Sequence, residues 1–239
     1  MASGNKILIG IQARSTSKRF PRKSFADLEG KPLLQHVINA CNKAAEYHNK
    51  HAHKTRSFVN VAVLVPHNDE IVGRFSRSLI LEGSETDVLS RYWDAADKMD
   101  SSYIVRVTGD CPLIPPYLIS KFIKTAEINS YDYLSNVDED VRTAVDGIDC
   151  EVISKRALEW LHKNAVDAYD REHVTPLIRK SPPDWVKVGH VVGYFDHSNL
   201  KLSVDTPEDL ERVRTHLRKT TKSVKDAEAK YGPNCTHRF

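Results

Sequence analysis

The chain has 239 residues, of which 40% are hydrophobic and 28% charged, an ordinary balance for one large domain with a sizeable core. A formal net charge of +3 excludes a general polyanion-binding surface, so any anion site has to be local. The four cysteines (Cys41, Cys111, Cys150 and Cys235) are scattered without a C-x-x-C pair. That disfavours a zinc or thioredoxin-type motif and fits a reducing cytoplasm.

Lys6–Gln12 reads as the first strand. Its apolar run, Ile7–Ile11, is too short for a signal-peptide core or a membrane span, so a cytosolic protein is expected. Leu33, Leu34, Val37, Ile38, Cys41 and Ala44 recur at helical spacing. The continuous apolar run "NVAVLV" (60–65) predicts a strand covered on both faces. Helices are predicted from about Asp69 to Leu81 and from about Val88 to Met99, with "YIVRVT" (103–108) as another buried strand. Leu118, Ile119, Phe122, Ile123 and Ala126 mark the next helix, with Pro115 and Pro116 suited to its first turn.

Further on, "YDYLSN" and "CEVIS" read as short strands, and Lys155–Asn164 and part of 170–180 as helices. "WVKVGHVVGYF" reads as strand material broken by glycine. "KLSVDTPEDLERVRTHLRK" predicts a short strand running into a helix, with Thr206 as N-cap, Pro207 at N1 and Asp209 at N3. Residues 1–219 make a single α/β domain in this reading, and 220–239 a polar extension. "YHNKHAHK" (47–54) has three histidines, read as an exposed helix end and loop because no further ligands are evident.

Ligands of open α/β sheets bind outside the carboxyl ends of the strands. Three polar clusters fall at such ends: the loop Arg14–Lys23, "TGDCPLIPP" (108–116) and "VDTPEDL" (204–210). The loop supplies Arg14, Lys18, Arg19, Arg22 and Lys23; the others supply Asp110 and Asp205. Two carboxylates can share a hard cation such as Mg²⁺, which bridges phosphate oxygens while Arg and Lys neutralise the remaining charge. These parts suit nucleotidyl transfer, which depends on in-line positioning and charge stabilisation. Taken singly, each cluster also reads as ordinary: a solvated basic loop, an Asp starting a turn, an Asp preceding a capped helix.

The same stretches resemble a known family. "IQARSTSKRFPRKSFADLEGKPLLQHV" is similar to the opening signature of bacterial sugar cytidylyltransferases, through Ala13, Arg14, Ser17, Arg19, Pro21, Lys23, Gly30, Lys31, Pro32 and Leu33. "GSETDVLSRY", "RVTGDCPLIPP", "DGIDCEVIS", "REHVTPLI" and "LSVDTPEDLERV" continue the likeness in order over residues 6–217. The resemblance points to the spore-coat-polysaccharide (SpsF-like) type, with Kdo and acylneuraminate cytidylyltransferases more distant. It implies a Rossmann-like three-layer fold with a mixed, mostly parallel sheet of the nucleotide-diphospho-sugar transferase type. It also implies transfer of CMP from CTP to an acidic or phosphorylated sugar-like acceptor, for surface glycan synthesis, by a homodimer.

Residue by residue, the resemblance assigns Mg²⁺ to Asp110 and Asp205, and the triphosphate to Arg14, Arg19 and Lys23. Ser17 shapes the loop or touches phosphate, and the backbone of Ile11, Gln12 and Ala13 contacts cytosine. Asp87 and Arg91 look like nucleotide- or acceptor-side residues, although Arg91 also reads as an exposed helix cation. Asp149 and Glu151 flank Cys150 and share a strand face. They would hold acceptor hydroxyls or metal, or else form a partly exposed strand edge. Arg171, Glu172 and His173 would grip an acceptor carboxylate or phosphate, or else form an internal salt bridge. Two departures stand out: Arg22 replaces the glycine many relatives carry before the lysine, and "RTAVDGIDCEV" lacks the proline often found before the D-G pair. Other readings are a glycosyltransferase using "DED" (138–140) as its D-x-D motif, and a non-catalytic nucleotide- or RNA-binding protein, which the lack of a basic, aromatic-rich surface disfavours.

Overall fold

The computed structural model describes residues 5–51 and 57–231, with side chains described as far as residue 221. His53, Cys235 and the last eight residues of the expected polar extension lie outside the described residues. In chain order the strands are β1 (Asn5–Gln12), β2 (Asp27–Leu28), β3 (Lys31–Pro32), β4 (Ser57–Pro66), β5 (Ile80–Gly83), β6 (Tyr103–Thr108), β7 (Tyr133–Ser135), β8 (Glu151–Ser154) and β9 (Val188–His190). The helices are α1 (Leu33–Lys50), α2 (Ile71–Arg74), α3 (Val88–Lys98), α4 (Pro116–Asn129), α5 (Lys155–Asn164), α6 (Ala168–His173), α7 (Pro176–Lys180) and α8 (Pro207–Tyr231).

Seven strands form one sheet in the order β5-β4-β1-β6-β8-β7-β9, while β2 and β3 make a small antiparallel pair. β5, β4, β1 and β6 are mutually parallel. β8 runs antiparallel to both its neighbours, and β7 pairs parallel with β9. This is the expected Rossmann-like α/β fold with a mixed, mostly parallel sheet. The reversed β8 brings its first residue, Glu151, opposite Arg106 near the carboxyl end of β6. The loop preceding β8 therefore arrives at the rim where the parallel strands end.

Strand alternation divides the core in two. Ile7, Ile9 and Ile11 of β1 face one side and pack with Leu34, Val37 and Cys41 of α1 and with Phe122 of α4. Leu8 faces the other, with Leu89 and Tyr92 of α3 and Leu158 and Leu161 of α5. A third cluster joins Leu28 and Leu33 to Val204, Leu210 and Val213, holding α8 beside the β2–β3 turn.

The stretch expected as one helix from Asp69 to Leu81 is instead the single turn α2 followed by the edge strand β5. Phe75 leaves helical geometry at φ −116°, ψ 35° and packs in the core, and Ile80–Gly83 then pair with Val63–Pro66. Beyond β9, residues 191–200 form no strand, and Tyr194 is fully exposed. His48 also departs from expectation. It is buried, with Nε2 2.8 Å from the Ser57 hydroxyl, whereas His51 is exposed.

Candidate active site

The carboxyl ends of β1 and β6, the loop after β5 and the start of α8 surround a cleft of about 620 Å³. Its walls include Arg14, Ser17, Lys18, Arg19 and Lys23 from the β1–α1 connection, together with Asp110 and Asp205. The three clusters read from the sequence thus meet in one place.

The glycine-free loop is held by side chains. The Ser15 amide and hydroxyl both donate to Asp69 Oδ2, at 2.8 and 3.1 Å, and the Asp69 carboxylate is buried behind the loop. The Ser24 hydroxyl donates to the Arg14 carbonyl, and the Arg22 amide to the Ser15 carbonyl. Arg22 sits in the left-handed region at φ 60°, ψ 24°. The conformation that glycine would favour is kept, at the steric cost an L-residue incurs there. Its guanidinium turns away from the cleft, to Glu70 at 2.9 Å and over the Phe25 ring.

At the centre, Lys23 Nζ lies 2.9 Å from Asp110 Oδ2, 3.3 Å from Asp205 Oδ1 and 2.9 Å from the Val204 carbonyl. Arg19 pairs with the same Asp205 oxygen at 3.0 Å, and Lys201 with its other oxygen at 3.1 Å. Burial raises the pKa of Asp205, but Lys23 and Lys201 outweigh it and hold the carboxyl below its ordinary value. Two carboxylates converging on one cation offer hard oxygen donors of the type Mg²⁺ accepts. No group of three or more His, Cys, Asp or Glu side chains suited to a metal occurs among the described residues. Asp110 and Asp205 are the side chains that would hold such an ion.

Asp205 is placed by the capping box expected at α8. The Asp209 amide donates to Thr206 Oγ1 at 3.3 Å, and Asp209 Oδ2 accepts from the amides of Asp205 and Thr206 at 2.9 and 3.1 Å. Asp110 is tied to the same region, since its carbonyl accepts from the Val204 amide.

Other expected residues are placed differently. Arg91 lines the cleft and is only 4% exposed, which overturns its reading as an exposed helix cation. Ile11 is buried in the core, and the Ala13 amide is engaged by the Leu64 carbonyl. Asp87 is off the cleft wall: it caps α3 by accepting from the Ser90 amide and pairs with Arg171. Arg171 thus makes the internal ion pair. Glu172 reaches the cleft 3.9 Å from Arg14, while His173 is exposed and packs on Tyr169.

Glu151 is a correction: its carboxylate is 1% exposed and not presented to an acceptor. It accepts from Arg106 at 2.5 Å, Tyr133 at 2.6 Å and Thr175 at 2.7 Å. Burial pushes its pKa up, but Arg106 and the two hydroxyls prevail and hold it below the ordinary carboxylate range. Asp149 sits just before the strand, bound to Arg142 at 2.7 Å. Burial, offset in part by Arg142, pushes it up to about 6.

Sequence reasoning missed Arg106, whose Nη2 donates to Gln12 Oε1 at 3.2 Å and so orients the Gln12 amide at the cleft wall. The available signal was a lone arginine inside an otherwise apolar strand. It also missed Glu85, which lines the cleft and whose carboxylate accepts from Thr16 at 2.9 Å. The "DED" segment does not line the cleft; Asp138 accepts locally from the Asp140 amide.

The chain is similar to several known proteins. A protein of Methanocaldococcus jannaschii described as uncharacterized protein MJ1063 is 32% identical over 211 residues, covering 86% of this chain and 81% of its own. The spore coat polysaccharide biosynthesis protein SpsF of Bacillus subtilis is 28% identical over 222 residues, covering 90% of this chain and 88% of its own. A solved cytidylyltransferase from Leptospira borgpetersenii superimposes with a TM-score of 0.77 at 28% identity, covering 88% of this chain and 85% of that one. With the cytidylyltransferase family model matching residues 8–228, the chain belongs to the cytidylyltransferase family.

Proposed function

We propose that this protein transfers cytidylate from CTP to an acidic or phosphorylated sugar-like acceptor and releases pyrophosphate. The observation that carries this reading is the convergence of Asp110, Asp205 and Lys23 in a cation-lined cleft at the strand ends. An acceptor oxygen forms a bond to the α-phosphorus as the bond from that phosphorus to the pyrophosphate oxygen breaks. Arg14, Arg19 and Lys23 bind the triphosphate and offset the charge that grows on the departing pyrophosphate. Asp110 and Asp205 would hold Mg²⁺, which polarises phosphate oxygens when bound. A phosphate acceptor needs no base, whereas a hydroxyl acceptor must pass its proton to a carboxylate.

Lys18, which also lines the cleft, supports an anionic group on the acceptor. The description of the Bacillus relative as a polysaccharide biosynthesis protein supports a role in surface glycan assembly. The three cysteines among the described residues are free and buried, consistent with a reducing cytoplasm. No helix among the described residues is long and apolar enough to cross a membrane.

A pyrophosphate-release assay with each nucleoside triphosphate and a panel of sugar acids and sugar phosphates tests the proposal. CTP is expected to be the preferred donor, and equal turnover with ATP would overturn the cytidine assignment. Asp110→Asn and Asp205→Asn should each lower turnover by about 100-fold or more. Near-wild-type rates in both variants would remove the metal assignment.

A further inference from the structure

The outer surface of the α1–α4 layer carries a charge pattern that the proposed reaction does not use. The two helices cover one face of the sheet side by side, and the Ser120 hydroxyl of α4 lies 3.5 Å from the Ala44 carbonyl of α1. Between their outer edges runs a groove of about 500 Å³, walled by Lys43 and Tyr47 of α1 and by Tyr117, Lys121 and Lys124 of α4. Helical spacing extends the stripe to Lys50, one turn past Tyr47, and to Ile128, one turn past Lys124. Tyr47, Tyr117 and Ile128 are 62, 73 and 70% exposed. None of the four lysines has an ion-pair partner among the described residues. The carboxylates of the two helices lie off the groove: Glu127 turns inward to accept from Ser57, and Glu46 is exposed but does not line it.

This chemistry selects its occupant. Exposed tyrosines and an isoleucine among unpaired lysines suit a partner that is anionic at its surface and apolar just beneath. The basic residues of the stripe are all lysines, and lysine is depleted from protein interfaces, where arginine is favoured. A second copy of the chain would set lysine against lysine, since a two-fold contact pairs a surface with itself. A bilayer with anionic headgroups meets both demands. Lysine stems lie along its apolar boundary with their ammonium groups among phosphates, and tyrosine rings sit at headgroup level.

We propose that the α1–α4 face seats the protein on an anionic lipid bilayer, with Lys43, Lys121 and Lys124 on lipid phosphates and Tyr47 and Tyr117 among the headgroups. The groove shares no lining residue with the cleft at the strand ends, so a seated protein keeps the cleft free. This goes beyond the cytidylyl-transfer reading and does not depend on it.

The test is co-sedimentation of the full chain with phosphatidylcholine vesicles, with and without about 30% phosphatidylglycerol. Binding to the anionic vesicles should exceed binding to the neutral ones by about 10-fold or more, and should fall as NaCl rises from about 0.1 to about 0.5 M. At about fivefold per lysine, Lys43→Gln/Lys121→Gln/Lys124→Gln should lose about 100-fold in partitioning. The same charge change on α3 and α5, which cover the opposite face of the sheet, is Lys98→Gln/Lys155→Gln/Lys163→Gln. It should leave partitioning within about threefold of wild type. Tyr47→Ser/Tyr117→Ser should lose about fivefold and keep the salt dependence. Equal binding to the two kinds of vesicle overturns the inference. So does an equal loss in the two lysine triples, which would trace the attraction to net charge. If the tyrosine pair is replaced without loss, the lysines hold any polyanion, an RNA included, and the bilayer assignment fails. The side chains replaced on this face are exposed, so the variants are expected to fold. Vesicle binding is read without nucleotide, and pyrophosphate release is a separate assay, so failure of either reading leaves the other standing.

Discussion

Arg22 shows what a single residue reveals about its loop. Its backbone keeps φ 60° in a connection without glycine, and its side chain is spent on Glu70 and the Phe25 face instead of the cleft. A half-exposed pair of this kind contributes at most about 1 kcal/mol, and the left-handed backbone costs about 1–2 kcal/mol. We expect Arg22→Gly to stay within about 1 kcal/mol of wild type, since relief of strain offsets the lost pair and the added freedom of the unfolded chain. Arg22→Val, β-branched in a left-handed position, should lower stability by about 1–2 kcal/mol. Urea unfolding measures both, and an equal loss in the two variants would show that the ion pair, not the backbone, governs this position. The sequence flagged Arg22 as a departure but left open whether it added a cation to the site, because only coordinates reveal which way a side chain leaves a turn. The pairing of Arg106 with Glu151 was beyond sequence reasoning for a related reason: they meet through the pairing of β6 with β8, 45 residues apart.

Among the elements, those with strong periodicity or a clear stop were legible. α1, α3 and α4 show apolar residues at helical spacing, and β1, β4 and β6 are short apolar runs between polar ends. β5 was missed because "ILEG" is only four residues on a sheet edge, too short for either period to be resolved. The start of α8 was readable because a capping box is written within four consecutive residues. That cap has a functional bearing, since Asp205 and Thr206 both donate their amides to Asp209. Thr206→Ala is expected to cost about 1 kcal/mol of stability and to weaken CTP–Mg²⁺ binding by loosening Asp205. Unchanged nucleotide affinity alongside the stability loss would separate the helix cap from the site.

On the scale of the whole molecule, stability should depend on pH through Asp149. Its folded-state pKa is raised from 3.8 to about 6 by burial, so the folded protein binds the proton more tightly than the unfolded chain. Stability from this group is therefore complete at low pH and is lost as pH rises through that window. Asp149→Asn removes the titration. The urea midpoint of wild type should fall relative to the variant between about pH 4 and pH 6. Parallel profiles would show that Asp149 ionises in the folded protein as it does in the unfolded chain. The reversed β8 has a consequence for how such a protein changes over evolutionary time. The cationic loop after β1 and Asp110 are set by the register of β1 with β4 and β6, whereas residues 136–150 reach the same rim from the far half of the sheet. Insertions and substitutions in that arriving loop leave the register of the parallel strands untouched. The frame of parallel strands can thus be inherited intact while the surface beside it diversifies.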